Sequence, residues 1–179
     1  FRVIEALIYR ETKTRFGQKK FGYLWVFLEP IAQIAVFSAI FGVVMKTVMP
    51  GIDYLIFLSI GVLGWNFFQD TLNQSLSAVT ANSGLLIYSR VKPIDTVFAR
   101  AILEAIVLMI IFPVILTFLH IMGHTIHGIN LGYLLLGFIS LFVLSLGMAM
   151  FFCVLSTIRN ETKWIVNVIM RPLYLLSGV

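Results

Sequence analysis

GYLLLGFISLFVLSLGMAMFFCVLST, residues 132–157, runs for 26 residues without a charged side chain. At ~1.5 Å of rise per residue, a helix of that length exceeds the ~30 Å hydrocarbon core of a bilayer. A chain of 179 residues has too small a core to enclose such a helix on every side, so the solvent it implies is lipid. Composition agrees: 60% of the chain is apolar, 12% is charged and 16 residues are Phe, against roughly 25% charged in an ordinary soluble domain. The net charge of +5 is therefore a question of where the cations sit relative to a membrane and not a sign of nucleic-acid binding. The single cysteine, Cys153, excludes an intrachain disulfide framework.

Working outward, the chain reads as one all-α polytopic transmembrane domain over 1–179. Residues 1–20 alternate charged and apolar positions at helical spacing, with Val3, Ile4, Leu7 and Ile8 on one stripe. This predicts an amphipathic helix, lying at the headgroups or packed on its own protein. Span one is expected at 21–48, with Tyr23 and Trp25 as an aromatic anchor and Glu29-Pro30 interrupting its apolar run. Span two is expected at 54–83 as one long helix whose polar end leaves the membrane, with Gly61 and Gly64 leaving room for a neighbour. A compact basic connector at 84–96 leads to span three at 97–119, kinked at Pro113. A loop at 120–131 holds three histidines. Span four is 132–157, and 164–179 begins a fifth span broken by Arg171-Pro172. No cleavable signal peptide is visible at the start, and the chain reads as a fragment of a longer one.

Eleven Lys and Arg residues fall on the side of the N-terminus, the 84–100 loop and the 158–163 turn; only Lys46 falls on the other. The positive-inside rule places the first side in the cytoplasm and the histidine loop outside.

Glu29, Asp70, Glu104 and Arg171 fall inside spans, each on the order of 5–12 Å from the basic end. Such charges pair or snorkel. The expected pair is Arg171 with Glu29 or Glu104, within one chain or across an oligomer. His120, His124 and His127 have helical metal-ligand spacing, but Gly123 and Gly128 favour an irregular loop and no acid is near in sequence. No metal site is expected. No P-loop, GxSxG or HExxH is present, so an enzyme is not supported; the alternative from another class is a membrane enzyme using the outer histidine loop. Trp65, Asn66, Phe68, Gln69, Asp70 and Asn73 combine amides with aromatic rings, which suits sugar hydroxyls and apolar sugar faces. They either line a passage or make interhelical hydrogen bonds.

The runs RFGQKKFGYLWVFLEP (15–30), ANSGLLIYSRVKPIDTVFARAILE (81–104) and RPLYLLSG (171–178) resemble those of ABC-2 type permeases. Within these, the chain looks most like the capsule-polysaccharide exporters of Gram-negative bacteria, the KpsM/BexB type. The resemblance covers nearly the whole chain. It implies an ABC-2 (type V exporter-like) transmembrane domain of six spans, five present here. It also implies a homodimer in the inner membrane, each subunit seated on a cytoplasmic ATPase subunit that carries ATP and Mg, with no cofactor in this chain. The cargo would be a lipid-linked, acidic polysaccharide handed to periplasmic and outer-membrane export proteins. O-antigen or teichoic acid is the alternative cargo. The loop at 84–95 would be the coupling element, with Leu85, Leu86, Ile87, Tyr88 and Val91 filling a groove of the ATPase. Arg90, Lys92 and Asp95 would pair there, and Pro93 would set the bend. Arg10, Lys13 and Arg15 would belong to an interface helix. Lys19, Lys20 and Arg100 would attract the polyanion at the cytoplasmic mouth.

Overall fold

The computed structural model describes residues 2–16, 22–41, 53–85, 91–124, 130–159 and 161–176. The described residues form helices α1 (Arg2–Phe16), α2 (Gly22–Phe41), α3 (Tyr54–Leu76), α4 (Ala78–Ala81), α5 (Pro93–Ile121), α6 (Leu131–Ile158) and α7 (Thr162–Leu176). Four of them, α2, α3, α5 and α6, are long and apolar enough to cross a membrane. The described part of α7 is 15 residues, about 22 Å of helix and short of a full crossing.

The helices alternate in direction. The start of α3 meets the end of α5 through Asp53 and His124. The end of α3 meets the start of α5 through Ser77 and Arg100, and Ser156 near the end of α6 donates to the Leu76 carbonyl at 2.7 Å. We refer to the two ends as the basic end and the histidine end. α3 is the central helix, packed against α2, α5, α6 and α7. Its core has two parts. Ile56, Leu58, Val62 and Leu63 pack with Ile34 of α2 and Ile111, Ile115 and Leu119 of α5. Towards the basic end, Leu72 and Leu76 pack with Ala149 and Cys153 of α6, Val97 of α5, and Val166 and Met170 of α7. α2 and α6 turn most of their apolar surface outward, as helices bathed in lipid do.

Local chemistry explains the boundaries. Asp53 caps α3 by accepting from the Leu55 amide at 3.1 Å, and Asn130 caps α6 by accepting from Gly132 N at 3.0 Å. α5 starts at Pro93, where the missing amide costs nothing. Lys92 before it is extended (φ −97°, ψ 149°), as the proline ring demands. α5 ends in a glycine turn: Gly123 has φ +95°, its amide reaches the His120 carbonyl at 3.0 Å, and the His124 amide reaches Leu119 at 3.2 Å. Helix continues through Pro30, Pro113 and Pro172.

Two expectations are corrected. Span two is not one helix over 54–83; it breaks at Ser77. There Arg100 Nη1 donates to Ser77 Oγ at 3.0 Å and to the Gln74 carbonyl, the acceptor that a continuing helix would offer to the amide of Ala78. The third and fourth spans are longer than expected, so His120 lies on α5 and not in a loop. The neighbour expected at Gly64 is α6: a methyl there would sit 3.6 Å from Leu141 Cδ2, an ordinary contact. The expected end of span one (42–48) and residues 17–20 lie outside the described residues.

Candidate functional site

At the basic end, polar side chains clamp α1 onto the bundle. Leu7 of α1 is buried, which fixes which face turns inward, and the charged residues beside it then meet α4 and α5. Arg10 Nη1 donates to Asn82 Oδ1 at 2.6 Å. Asn82 Nδ2 donates to Glu11 Oε1 at 3.2 Å and to the Ala78 carbonyl at 2.8 Å. Arg100 donates to the same Glu11 oxygen from Nε at 3.1 Å and Nη2 at 3.0 Å. One turn further along both helices, Arg15 is hydrogen-bonded to Glu104. Asn82, Arg100 and Glu104 are all buried, and buried charges of this kind persist only when paired. The network ends three residues before Leu85, whose amide bonds the Asn82 carbonyl at 2.9 Å, so the connector begins directly on the clamp.

A second face lies between α2, α3 and α7. Asn66 Nδ2 donates to Gln33 Oε1 at 2.7 Å, and Trp65 Nε1 donates to Gln69 Oε1 at 2.8 Å. The Trp65 ring lies 5.9 Å from Phe68 and 5.6 Å from Tyr174, and Tyr174 lies 5.6 Å from Phe37. Asp70 and Glu29 are exposed on this face. Asn73 Oδ1 is buried with no hydrogen-bond partner among the described residues. At the histidine end, His124 Nδ1 lies 2.6 Å from Asp53 Oδ2.

A family profile described as "ABC-2 type transporter" matches residues 2–179. The chain belongs to this family. It is 36% identical over 98% of its length to "Polysialic acid transport protein KpsM" of Escherichia coli, covering 68% of that protein. It is 28% identical over 85% of its length to "Capsule polysaccharide export inner-membrane protein CtrC" of Neisseria meningitidis serogroup A, covering 57% of it. "O-antigen export system permease protein RfbA" of Klebsiella pneumoniae is 27% identical over 69% of the chain, covering 47% of that protein.

Several readings of this ABC-2 chain change with the geometry. Within the chain Arg171 does not pair with Glu29 or Glu104. Glu104 is taken by Arg15, while Glu29 and Arg171 are exposed and form no ion pair among the described residues. Arg100 is not free to attract a polyanion; it is buried and committed to Glu11, Gln74 and Ser77. Asp95 accepts from the Lys92 amide at 3.0 Å and so caps its own helix, which occupies one of its oxygens inside the chain. Of the amide stripe, Asn66 makes an interhelical bond to Gln33, while Trp65, Phe68 and Gln69 stay together on one face. Among the connector residues, Leu85 and Val91 are half-buried and Lys92 and Pro93 exposed; Leu86, Ile87, Tyr88 and Arg90 lie outside the described residues. In α1, Arg10 and Arg15 bond inward and Lys13 is exposed.

The residues missed from sequence were Glu11, Gln33, Asp53, Asn82 and Tyr174. Asp53 is the acid missing beside the histidines, brought to His124 across 71 residues. Among the described residues no cluster of three or more His, Cys, Asp and Glu is placed to hold a metal ion. His127 is outside them.

Proposed function

We propose that this chain is the membrane-spanning permease subunit of an ABC exporter that moves a lipid-linked capsular polysaccharide out across the inner membrane. A separate ATPase subunit, carrying ATP and Mg, drives it. The observation that carries this reading is 36% identity along 98% of the chain to a polysialic acid transport protein, on a bundle with four membrane-length helices.

The working unit is a homodimer. Its N-terminus lies in the cytoplasm, an orientation supported by the excess of Lys and Arg at the basic end. The 84–96 connector docks on the ATPase. Arg90 and Lys92 face its acids, and Leu85, Leu86, Ile87 and Tyr88 enter its groove. Its support is its position: the connector starts on the clamp that ties α1, α4 and α5 together, so a push on it reaches three helices. Trp65, Phe68, Gln69, Phe37 and Tyr174 offer rings and an amide from α2, α3 and α7 to a passing sugar chain. Rings present apolar faces to sugars at low conformational cost. O-antigen is the second reading for the cargo, favoured by the likeness to RfbA.

The test is a detergent pull-down of the ATPase subunit by wild type and by the Arg90→Ala/Lys92→Ala variant. Asp95 is left intact because it caps α5. Lost binding in the variant supports docking by the connector. Equal binding moves the contact to α1. Absence of binding by wild type overturns the ATPase-coupled reading.

A further inference from the structure

On the basic half of the α2/α3 face, neither Glu29 nor Asp70 forms an ion pair among the described residues. The Gln33–Asn66 hydrogen bond sets the register of α2 against α3. One helical turn towards the basic end from each of these residues stand Glu29 and Asp70, so the antiparallel pair puts two carboxylates at one level. Asp70 is also within electrostatic range of Glu104 and Arg15. The Arg15 guanidinium is itself hydrogen-bonded to Glu104. Glu29 and Asp70 face outward, where α2 and α3 meet lipid or another chain.

The complementary charge is on the same side of the molecule but turned away. Val166, Met170 and Tyr174 form the inward stripe of α7. Arg171 follows Met170 by about 100° around the helix and is exposed, with no ion pair among the described residues. Tyr174 is level with Trp65 through their ring contact. Counting back towards the basic end from that level, the Arg171 Cα lies within about 3 Å of the depth of Asp70. Exposed apolar residues flank both charges, Leu28 and Ile31 beside Glu29 and Val168 and Leu173 beside Arg171. A cation set in an apolar surface at the depth of two carboxylates that form no ion pair among the described residues is a self-complementary pattern, as an isologous interface requires.

We propose that Arg171 of each copy docks on the Glu29–Asp70 carboxylate pair of a second copy, giving two symmetric ion bridges across the dimer. This rests on the homodimer read above and names the residues that join it. The bridges neutralise acid on the face where an acidic polymer would pass.

The test uses the full chain with its ATPase subunit in native membranes, in a Cys153→Ser background. Two differently tagged copies are co-expressed, one with Asp70→Cys or Glu29→Cys and one with Arg171→Cys. Oxidation is expected to convert the co-purifying tags into a covalent heterodimer for both acid positions. A Met109→Cys partner, exposed on α5, is expected to give none. Co-purification without that cross-link, or a cross-link to Met109→Cys alone, overturns the bridges and leaves the homodimer standing. Tags that fail to co-purify overturn both. Charge reversal decides the matter where a cysteine variant does not accumulate. Arg171→Asp is expected to lose export, and Arg171→Asp/Asp70→Arg to recover it; no recovery overturns the proposal.

Discussion

Replacing Glu11 by alanine tests whether the clamp holds α1. Glu11 Oε1 accepts from Arg100 twice, at 3.1 and 3.0 Å, and from Asn82 at 3.2 Å. The Arg100 side chain is only 7% exposed and that of Glu11 16%. Glu11→Ala leaves Arg100 with the Gln74 carbonyl, the Ser77 hydroxyl and the more distant charge of Glu104, but with no ion-pair partner of its own. Removing one partner of a buried pair costs about 3–5 kcal/mol, and the partial opening at Glu11 argues for the lower end, about 3 kcal/mol. The cost falls on the contact between α1 and α5, so it is released by local undocking before global unfolding. Amide hydrogen exchange along Arg2–Phe16, measured on the ATPase complex in nanodiscs, is expected to accelerate by roughly a hundredfold, a tenfold change per ~1.4 kcal/mol. Glu11→Ala/Arg100→Met removes the stranded charge and is expected to recover most of the protection. Exchange in Glu11→Ala within a few-fold of wild type, or a double variant no better than the single one, refutes the reasoning.

Arg15→Leu strands the buried carboxylate of Glu104 and is expected to lower the melting temperature in detergent more than Arg15→Leu combined with Glu104→Gln; the reverse order refutes the pairing. Asp53→Ala removes both the α3 cap and the His124 contact, whereas His124→Ala removes only the latter. The cap accounts for about 1 kcal/mol, so denaturant unfolding should find Asp53→Ala the less stable of the two by about that amount. Gln33→Leu breaks the bond to Asn66 and is expected to cost only about 0.6 kcal/mol in steric-trap unfolding, as interhelical hydrogen bonds in membranes do. Trp65→Ala is expected to reduce export while the folded yield stays near wild type, and Trp65→Phe to retain part of it, measured as polymer at the cell surface.

The helical, membrane-spanning character was legible because it rests on long apolar runs, and residues 132–157 need no neighbour to declare themselves. The likeness to ABC-2 permeases was legible in runs of contiguous residues. The histidine loop shows where reading along the chain stops: Gly123 looked like the start of an irregular loop, and it is the left-handed stop of α5 that turns His124 towards Asp53. Asp70 and Glu29 were recognised as intramembrane charges, but their shared level became visible only through the Gln33–Asn66 register.

Linear sequence sets the hydrophobic lengths, the caps and the excess of cations at one end, since each depends on residues within a few turns of one another. Partner choice among the charges belongs to the folded bundle. Arg15 meets Glu104 and Arg100 meets Glu11 across 89 residues, and Arg100 bonds Ser77 at a helix break 23 residues before it. Helical periodicity assigns a charge to a face but not to a neighbour. In a low-dielectric interior the neighbour determines whether the charge is tolerated.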